Sequence, residues 1–243
     1  MISLARKDGR PLRIGHRGAA SLSPENTLPS FRAALEAGVD LIEFDVIAGP
    51  DGALVVAHSL PEMQVETPTF DAVLRFFVDE APDTGVHVDL KQPGREREVV
   101  EALRRFGLVE RSFVSSAFAS TARRLAEFEG PVAGITIPRG VLGISDDGRG
   151  ASVARQGLRL LRFATPLFLR PLLALTRADV VVMHHTLVTP RSVRAAHARG
   201  VEVVTWTVDD REELARVTEA GADAVVTNDP RIFWPESVST LSA

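Results

Sequence analysis

The chain contains no cysteine in 243 residues, and lysine occurs at two positions only, Lys7 and Lys91. The lack of thiols excludes disulfide bonds, thiolate metal ligands and a cysteine nucleophile. No uninterrupted apolar run is long enough to span a bilayer, and the charged start of the chain is not followed by the apolar segment of a signal peptide. These absences lead us to expect a soluble protein of the cytoplasm.

The sequence also lacks the marks of several functional classes. Its net charge is only −4, which does not indicate a nucleic-acid partner. No GxGxxG motif follows the first predicted strand, which disfavours dinucleotide binding. No linker, low-complexity tract or long repeat interrupts the chain, so we expect one domain over residues 1–243. A hydrophobic content of 45% and a charged content of 25% are typical of globular proteins.

Short apolar strands alternate with helices along the chain, a pattern typical of parallel sheets. About eight strands over this length favour a single closed (β/α)8 TIM barrel over an open sheet. Residues 143–150 are expected to form a loop, and residues 158–175 one or two helices interrupted at Pro166 and Pro171. The predicted strands are residues 12–15, 41–46, 86–91, 113–116, 132–137, 180–183, 203–207 and 224–227, with an additional extended run at 54–57.

The predicted strand at residues 41–46 carries two carboxylates, Glu43 and Asp45, in an otherwise apolar segment. Side chains two residues apart on a strand share a face, so these like charges lie close together, and each is costly to bury. A divalent cation such as Mg²⁺ or Ca²⁺ would relieve both problems, because these ions prefer oxygen ligands. The alternative is that one carboxylate forms a salt bridge while the other lies at the exposed end of the strand.

Polar residues cluster where predicted strands end, which in a barrel is the edge that carries active sites. Asp89 and Lys91 share a face of their strand, where they would add a third carboxylate for the metal and a cation for a substrate anion. The retained lysine indicates that a compact point charge is needed at this position, with chance survival as the alternative. The remaining members of the cluster are His16, Arg17, Glu43, Asp45, Trp206 and, after the extended run, His58.

Each member of the cluster also has a structural interpretation. His16 taken alone would more often be a structural histidine, Asp89 and Lys91 would form a mutual salt bridge, and Trp206 would pack in the core. The other histidines are expected to be structural or at the surface, although two of them lie near a strand end. They are His87, His184, His185 and His197.

An ordered set of motifs resembles the glycerophosphodiester phosphodiesterases over nearly the whole chain. Any one of these motifs would be unspecific, whereas their order along the chain is specific. They are His16-Arg17-Gly18, Pro24-Glu25-Asn26-Thr27, Glu43-Phe44-Asp45-Val46, Asp51-Gly52, His58, Asp89-Leu90-Lys91, Trp206-Thr207-Val208 and the segment from Gly221 to Pro230.

The resemblance implies a TIM barrel that hydrolyses glycerophosphodiesters to glycerol 3-phosphate and an alcohol with the help of a divalent cation. It implies that Glu43 and Asp45 bind this metal together with Asp89 as the third ligand. His16 and His58 would do the acid–base chemistry, and we assign His16 as the base and His58 as the acid. The substrate's own glycerol hydroxyl would attack first, giving a cyclic phosphate that water then opens.

The implied binding residues for the substrate are Arg17 and Lys91 for the phosphate, with Trp206 beside them. The ring face of Trp206 suits a choline-type cation, but it would pack equally well on glycerol carbons.

Three departures from the family pattern stand out. Asp89 occupies a position that is usually Glu, although the related sphingomyelinase D-type phospholipases use Asp in a similar place. Ser59 replaces an Asp that usually follows the second histidine. The segment between His58 and Thr69 is short where the family inserts a small subdomain that helps to cover the glycerol side.

These departures leave two other functions open. An open barrel mouth would admit bulkier substrates, which favours a lysophospholipase D acting on lipids that keep an acyl chain. The losses at Asp89 and Ser59 would fit a non-catalytic binding module, but both histidines and all three carboxylates remain.

Residues 157–177 suggest a possible peripheral contact with an anionic membrane, at the inner face of the cytoplasmic membrane. No acidic residue lies between Asp147 and Asp179, and the arginines there alternate with leucines and phenylalanines. The alternative is a barrel helix with an additional helix packed beside it, or a dimer contact.

Overall fold

A computed structural model describes residues 1–137 and 151–235, with the backbone alone for residues 151–161. The predicted loop at residues 143–150 lies outside the described residues. The strands are β1 (Leu12–Gly15), β2 (Leu41–Ala48), β3 (Leu54–Val56), β4 (Gly85–Leu90), β5 (Ser112–Ser116), β6 (Val132–Ile137), β7 (Val180–His184), β8 (Glu202–Trp206) and β9 (Ala224–Thr227). The helices are α1 (Leu28–Glu36), α2 (Phe70–Asp79), α3 (Glu96–Arg105), α4 (Ala119–Leu125), α5 (Ala151–Thr176), α6 (Pro190–His197) and α7 (Arg211–Ala220).

The described strands form one closed barrel. Neighbouring strands follow the order β1-β9-β8-β7-β6-β5-β4-β2, every pair is parallel, and a β1–β2 pairing closes the ring. β3 pairs antiparallel with β2 outside this ring. The predicted (β/α)8 barrel is therefore confirmed, and the extended run after the second strand is a hairpin arm.

The two faces of β2 explain how the barrel positions the carboxylates. Ile42, Phe44 and Val46 are fully buried in the layer between the barrel and its helices. There Phe44 lies 5.6 Å from the Phe31 ring of α1, measured between ring centroids. Leu41 instead joins the cluster inside the barrel, and because side chains alternate, Glu43 and Asp45 face inward as well. Burial of the apolar face thus fixes the register that directs both acids into the barrel.

α5 corrects the expectation of an interrupted helix at residues 158–175. It is one continuous helix from Ala151 to Thr176 with Pro166 and Pro171 inside it. Thr165, Leu169, Leu173 and Thr176 form a buried stripe that continues past both prolines. Packing of this stripe against the barrel outweighs the loss of the hydrogen bonds that the prolines cannot donate. Among the described residues, no helix is long and apolar enough to cross a membrane.

The segment between β3 and α2 is short. All of its residues are described, and they form a single 3₁₀ turn, Leu60–Glu62, before Thr69 caps α2. The predicted truncation after the second barrel strand is therefore present, and this segment forms no subdomain.

Candidate active site

The structure brings all eight predicted site residues to the carboxyl end of the barrel. A cavity of about 60 Å³ opens there between β1, β2, β4 and β8. Asp45 contacts three of the residues that line it, namely Arg17, His58 and Lys91. The predicted residues that line this cavity are His16, Arg17, Glu43, His58, Asp89, Lys91 and Trp206.

The three predicted metal ligands converge on one point. One carboxylate oxygen from each of Glu43, Asp45 and Asp89 lies within 4.8 Å of the other two. Glu43 and Asp45 are almost completely buried, with 4% and 0% of their surface exposed. A set of hard oxygen donors at this spacing fits Mg²⁺ or Ca²⁺, and such an ion would offset the repulsion between the buried charges.

Asp45 is also the centre of a network of protein cations. Its Oδ2 forms an ion pair with the Arg17 guanidinium at 2.9 Å, and its Oδ1 forms one with the Lys91 ammonium at 2.7 Å. Asn26 donates to Oδ2 at 3.1 Å, and its own side-chain oxygen accepts from the Asp45 backbone N–H at 3.2 Å. These contacts fix the orientation of the carboxylate.

Lys91 bridges two of the candidate metal ligands. Its Nζ lies 2.7 Å from Asp45 and 2.5 Å from Asp89. The salt bridge considered as an alternative for Asp89 and Lys91 is therefore present, and it coexists with the carboxylate cluster. The ammonium remains beside the cavity, where a phosphate could compete with the two carboxylates for it.

The environment moves the pKa values of the two acids on β2 in opposite directions. Burial, together with the charge of Asp45, raises the pKa of Glu43 well above its ordinary value. Burial would also raise the pKa of Asp45, but the hydrogen bond from His58 and the charges of Lys91 and Arg17 bring it well below its ordinary value. Neighbouring acids with separated pKa values are typical of functional sites.

His16 is held in place by two hydrogen-bonded side chains, Asn228 after β9 and Asp209 after β8. Its Nδ1 lies 2.6 Å from the side-chain oxygen of Asn228, which is an acceptor. Asn228 in turn donates from Nδ2 to Asp209 at 2.7 Å and from its backbone N–H at 2.8 Å. The proton of a neutral His16 therefore lies on Nδ1, and Nε2, 3.9 Å from Glu43, keeps its lone pair. Burial lowers the pKa of His16, which favours this neutral form.

His58 lies between a cation and an anion that favour opposite protonation states. Arg17 donates from Nη2 to His58 Nδ1 at 2.9 Å, which suits the neutral ring. Asp45 Oδ2 lies 3.3 Å from the same nitrogen, which suits the imidazolium. The two contacts hold the His58 ring at the cavity that it lines, where an acid–base catalyst has to lie.

A second short series of hydrogen-bonded side chains supports Asp89. Ser115 on β5 donates to Asp89 Oδ1 at 3.1 Å, and His87 Nε2 lies 2.9 Å from the Ser115 hydroxyl. The His87 ring stacks on Phe113 at a centroid distance of 3.8 Å. Burial and the nearby Lys91 charge place the pKa of His87 well below its ordinary value. His87 is therefore a buried neutral residue, in line with the expectation that it is structural, but it supports a site residue.

Trp206 both packs and lines the cavity. Its ring meets His184 edge to face at 5.7 Å, and it packs against the apolar cluster inside the barrel. Its indole N–H is buried and has no hydrogen-bond partner among the described residues. His184 reaches this rim, whereas His185 forms an ion pair with Glu213 at 2.9 Å.

Tight backbone geometry places His16 and Arg17. Gly18 has φ +90°, and Arg17 and Asn26 also have positive φ values of +50° and +59°. The Ser30 hydroxyl closes this loop by donating to the Arg17 carbonyl and accepting from the Ala19 N–H, both at 2.8 Å. The loop is therefore held in a conformation that few side chains tolerate.

Replacing Gly18 by alanine is expected to damage this loop. The new Cβ would overlap the Ser30 hydroxyl and lie 2.7 Å from the Ser30 carbonyl carbon. We expect a loss of about 1–3 kcal/mol in the free energy of unfolding, measured by thermal denaturation, and a drop in turnover. Gly38→Ala is the matched control, since Gly38 also has a positive φ but its Cβ would contact nothing within 4 Å. Equal losses in both variants would contradict the steric argument.

Sequence reasoning missed several residues that hold the site. Asn26 was named only as part of a matched motif and was given no role in the site, whereas in the structure it donates to Asp45 beside Thr27, the residue that caps α1. The sequence pointed to Asn26 and Asn228 through their place in the matched motifs. Asp209, Ser115 and His87 carried no such signal. The departure at Ser59 leaves this residue outside the network, because its hydroxyl donates to Glu62 at 2.8 Å.

A (β/α)8 barrel with two imidazoles beside a carboxylate cluster at its carboxyl end has the groups for hydrolytic phosphoester chemistry. The family model described as the glycerophosphoryl diester phosphodiesterase family matches residues 16–73 and 59–232. The chain therefore belongs to this family and is a phosphodiesterase enzyme. This finding disfavours the non-catalytic binding module.

Individual relatives agree with this assignment. A glycerophosphodiester phosphodiesterase of Caldanaerobacter subterraneus is 25% identical over 91% of this chain and 95% of its own length. A phosphodiesterase of Oleispira antarctica, solved with the product sn-glycerol 3-phosphate, superposes with a TM-score of 0.65 at 20% identity, covering 91% of this chain and 94% of its own. A glycerophosphodiester phosphodiesterase structure from Agrobacterium tumefaciens gives a TM-score of 0.66 at 20% identity, covering 91% and 98%.

Proposed function

We propose that this enzyme hydrolyses glycerophosphodiesters to glycerol 3-phosphate and an alcohol, with a divalent cation and two catalytic histidines. The observation that carries the proposal is that both histidines lie beside the Glu43, Asp45 and Asp89 cluster, with His16 Nε2 3.9 Å from Glu43 and His58 Nδ1 3.3 Å from Asp45. The Caldanaerobacter relative, named as a glycerophosphodiester phosphodiesterase, and the Oleispira complex with sn-glycerol 3-phosphate support this substrate and product.

Glu43, Asp45 and Asp89 would hold the cation, which is Mg²⁺ or Ca²⁺. Once bound, it would neutralise negative charge on the phosphate as that charge builds up in the transition state. Arg17 and Lys91 would add two positive charges on the same side of the cavity. Both cations are partly exposed to it, with 16% and 25% of their side chains accessible.

His16 acts as the base in this proposal. Its Nε2 has the free lone pair, because Asn228 accepts the Nδ1 proton. It would take the proton of the attacking hydroxyl, which the family resemblance identifies as a glycerol hydroxyl of the substrate. His58 would give a proton to the departing alcohol oxygen, and its Nδ1 contacts with Arg17 and Asp45 orient the ring for this step.

Glycerophosphocholine is the test substrate for this function. We expect the purified protein with Mg²⁺ or Ca²⁺ to convert its single phosphodiester ³¹P resonance into a phosphomonoester resonance, with release of free choline. Choline phosphate as the monoester product would contradict the proposed bond cleavage, and no conversion would contradict the substrate.

A lysophospholipase D activity is the second candidate. It is favoured by the short segment at Leu60–Glu62, which adds no covering subdomain, and by exposed apolar side chains there, with Leu60 48% and Val65 99% exposed. Lysophosphatidylcholine offered beside glycerophosphocholine separates the two functions. A higher kcat/KM for the acylated lipid would make this enzyme a lysophospholipase D.

We also propose that α5 and α6 contact an anionic membrane, such as the inner face of a cytoplasmic membrane. Between these helices lies a groove lined by Phe163, Leu167 and three arginines, with the Arg191 guanidinium 5.9 Å from the Phe163 ring centroid. Phe163 and Leu167 are each 65% exposed and Phe168 is 60% exposed. The other arginines of the groove are Arg170 and Arg194. Exposed rings beside arginines suit anionic headgroups above an acyl layer.

A double substitution tests this contact. Phe168→Ser with Arg170→Glu should reduce co-sedimentation with phosphatidylglycerol vesicles several-fold, because it removes an apolar anchor and reverses a charge. The matched control is Val78→Ser with Arg75→Glu on α2, where both residues are also exposed. Unchanged sedimentation, or equal loss in both variants, would contradict the proposed surface.

A further inference from the structure

The groove between α5 and α6 is lined by three arginines that have no carboxylate partner among the described residues. Arg170 lies on α5, and Arg191 and Arg194 lie three residues apart on one face of α6. All three are exposed, and neither helix contains an aspartate or a glutamate. Because the whole chain has more acidic than basic residues, these two helices form a local concentration of positive charge.

Arginines on other helices of the barrel show the contrast. Arg32 on α1 pairs with Glu80 at the end of α2 at 2.7 Å, and Arg105 on α3 pairs with Asp71 on α2 at 2.6 Å. In each case the anion comes from the neighbouring helix. The arginines of the groove face a neighbouring helix that has no anion to offer, which indicates that an anion from outside the chain pairs with them.

The groove also has an apolar floor between fixed walls. Its volume is about 410 Å³, within the range of roughly 300–1,000 Å³ that is usual for small-molecule sites. Leu169 of α5 and Val193 of α6 are buried in one cluster, so the two helices are packed together. The contact of Arg191 with the Phe163 ring joins α6 to α5 across the groove. The other lining residues apart from the arginines are Pro166, Leu167, Ala195 and Ala198.

We propose that this groove binds one single-chain lipid whose head is a phosphomonoester. A guanidinium donates two parallel hydrogen bonds to phosphate oxygens, and the charge of a phosphomonoester serves more than one arginine. The acyl chain would lie on Phe163, Leu167 and Ala195, where it removes apolar surface from water. This site goes beyond the proposed membrane contact, because a bilayer surface needs only exposed rings and positive charge, whereas the groove accepts one lipid molecule.

The class of ligand connects the groove with the second candidate function. A lysophospholipase D releases an acylglycerol phosphate, which is a single-chain phosphomonoester. The groove would bind this product outside the active site, because none of the residues that line the groove lines the active-site cavity. This connection rests on the proposed function, whereas the binding of the lipid does not.

Isothermal titration calorimetry of the full chain with dodecyl phosphate, kept below its micelle concentration, tests the site. The wild-type protein should bind dodecyl phosphate at least about tenfold more tightly than inorganic phosphate, because buried CH₂ groups add to the phosphate contacts. Arg191→Gln with Arg194→Gln should weaken this binding at least about tenfold, since two charged donors are lost. Ala195→Phe should fill the floor of the groove, so that dodecyl phosphate loses its advantage over inorganic phosphate.

Dodecyl phosphate bound by Arg17 and Lys91 in the active site would persist in both variants. The groove is therefore measured by the binding that these variants lose.

Arg75→Gln with Arg97→Gln is the matched control. Both arginines are exposed, and each guanidinium lies near a phenylalanine ring, Arg75 at 5.8 Å from the Phe106 centroid and Arg97 at 5.7 Å from that of Phe128. The control removes the same charge from α2 and α3. It should keep the affinity for dodecyl phosphate within about twofold of the wild type, because salt screens charges at that distance.

Unchanged affinity in the groove variant, or an equal loss in the groove variant and the control, would overturn the site. Equal wild-type affinity for dodecyl phosphate and inorganic phosphate would do the same. Binding of phosphatidylglycerol vesicles without binding of dodecyl phosphate would overturn it in favour of general membrane contact. None of these titrations requires turnover. A failed titration with glycerophosphocholine still hydrolysed removes the groove site alone, whereas a groove that binds in a protein that hydrolyses nothing removes the proposed function alone.

Discussion

Replacing His16 by alanine is expected to lower kcat for glycerophosphocholine by about 10²- to 10⁴-fold, the usual contribution of a general base. The loss should fall on kcat more than on KM, because Arg17 and Lys91 remain to bind the phosphate. His58→Ala should lower kcat by a similar factor. Part of this kcat should return with a substrate whose leaving group needs no proton, such as a p-nitrophenyl phosphodiester. Recovery in His58→Ala but not in His16→Ala would assign His58 as the acid.

The pH dependence follows from the same assignment. A base must be deprotonated to act, and burial lowers the pKa of His16, so activity should persist below the pH at which an exposed imidazole becomes protonated. The profile of kcat/KM should be bell-shaped, as expected when one group acts as a base and another as an acid. His197→Ala is the control, since this histidine pairs with Asp223 at the other end of the barrel. Full activity in both His16→Ala and His58→Ala would contradict the mechanism.

Glu43→Gln is expected to abolish metal-stimulated turnover and to weaken Mg²⁺ or Ca²⁺ binding at least about tenfold, measured by calorimetry. The glutamine oxygen can still accept the Arg17 backbone N–H, which bonds to Glu43 at 2.8 Å, so the His16-Arg17 loop should keep its position. The substitution therefore removes the charge of one metal ligand and leaves the fold intact.

Glu202→Gln is the matched carboxylate control. Glu202 lies at the amino end of β8, where it accepts from the Leu4 N–H at 2.8 Å. The Glu202→Gln variant should bind metal and turn over substrate as the wild type does. Metal-stimulated activity that persists in Glu43→Gln would contradict the assignment of Glu43 as a ligand.

The sequence predicted the barrel and the meeting of the site residues because both depend on short-range patterns. The alternation along β2 separates Ile42 and Phe44 from Glu43 and Asp45, and the structure places the two sets on opposite faces. Parallel strands end at one edge, so residues at their carboxyl ends had to meet once the barrel closed. The resemblance then supplied roles that the residues alone left open.

The supporting contacts were not predictable in the same way. Asn228 reaches His16 across 212 positions, and Ser115 reaches Asp89 across 26 positions. Such pairs depend on register between strands, which no local pattern specifies. The continuous α5 was missed for a related reason, because the buried stripe at Leu169 and Leu173 outweighs a local rule about proline.

The shorter acid at Asp89 remains compatible with a metal site. Its carboxylate still lies within 4.8 Å of both partners, and Ser115 holds it in place. Because Lys91 pairs with Asp45 and Asp89, a bound metal ion would have to share these two carboxylates with the ammonium. A phosphate bound beside Lys91 would lessen that competition, which couples metal and substrate binding.

Anomalous diffraction from crystals soaked in Mn²⁺ tests the central claim most directly, since Mn²⁺ replaces Mg²⁺ at oxygen sites and is visible on its own. The account predicts one strong peak about 2.0–2.6 Å from an oxygen of each of Glu43, Asp45 and Asp89, with His16 and His58 on either side of it. A Mn²⁺ peak elsewhere would contradict the account. So would the absence of a peak between these carboxylates while Lys91 still bridges them.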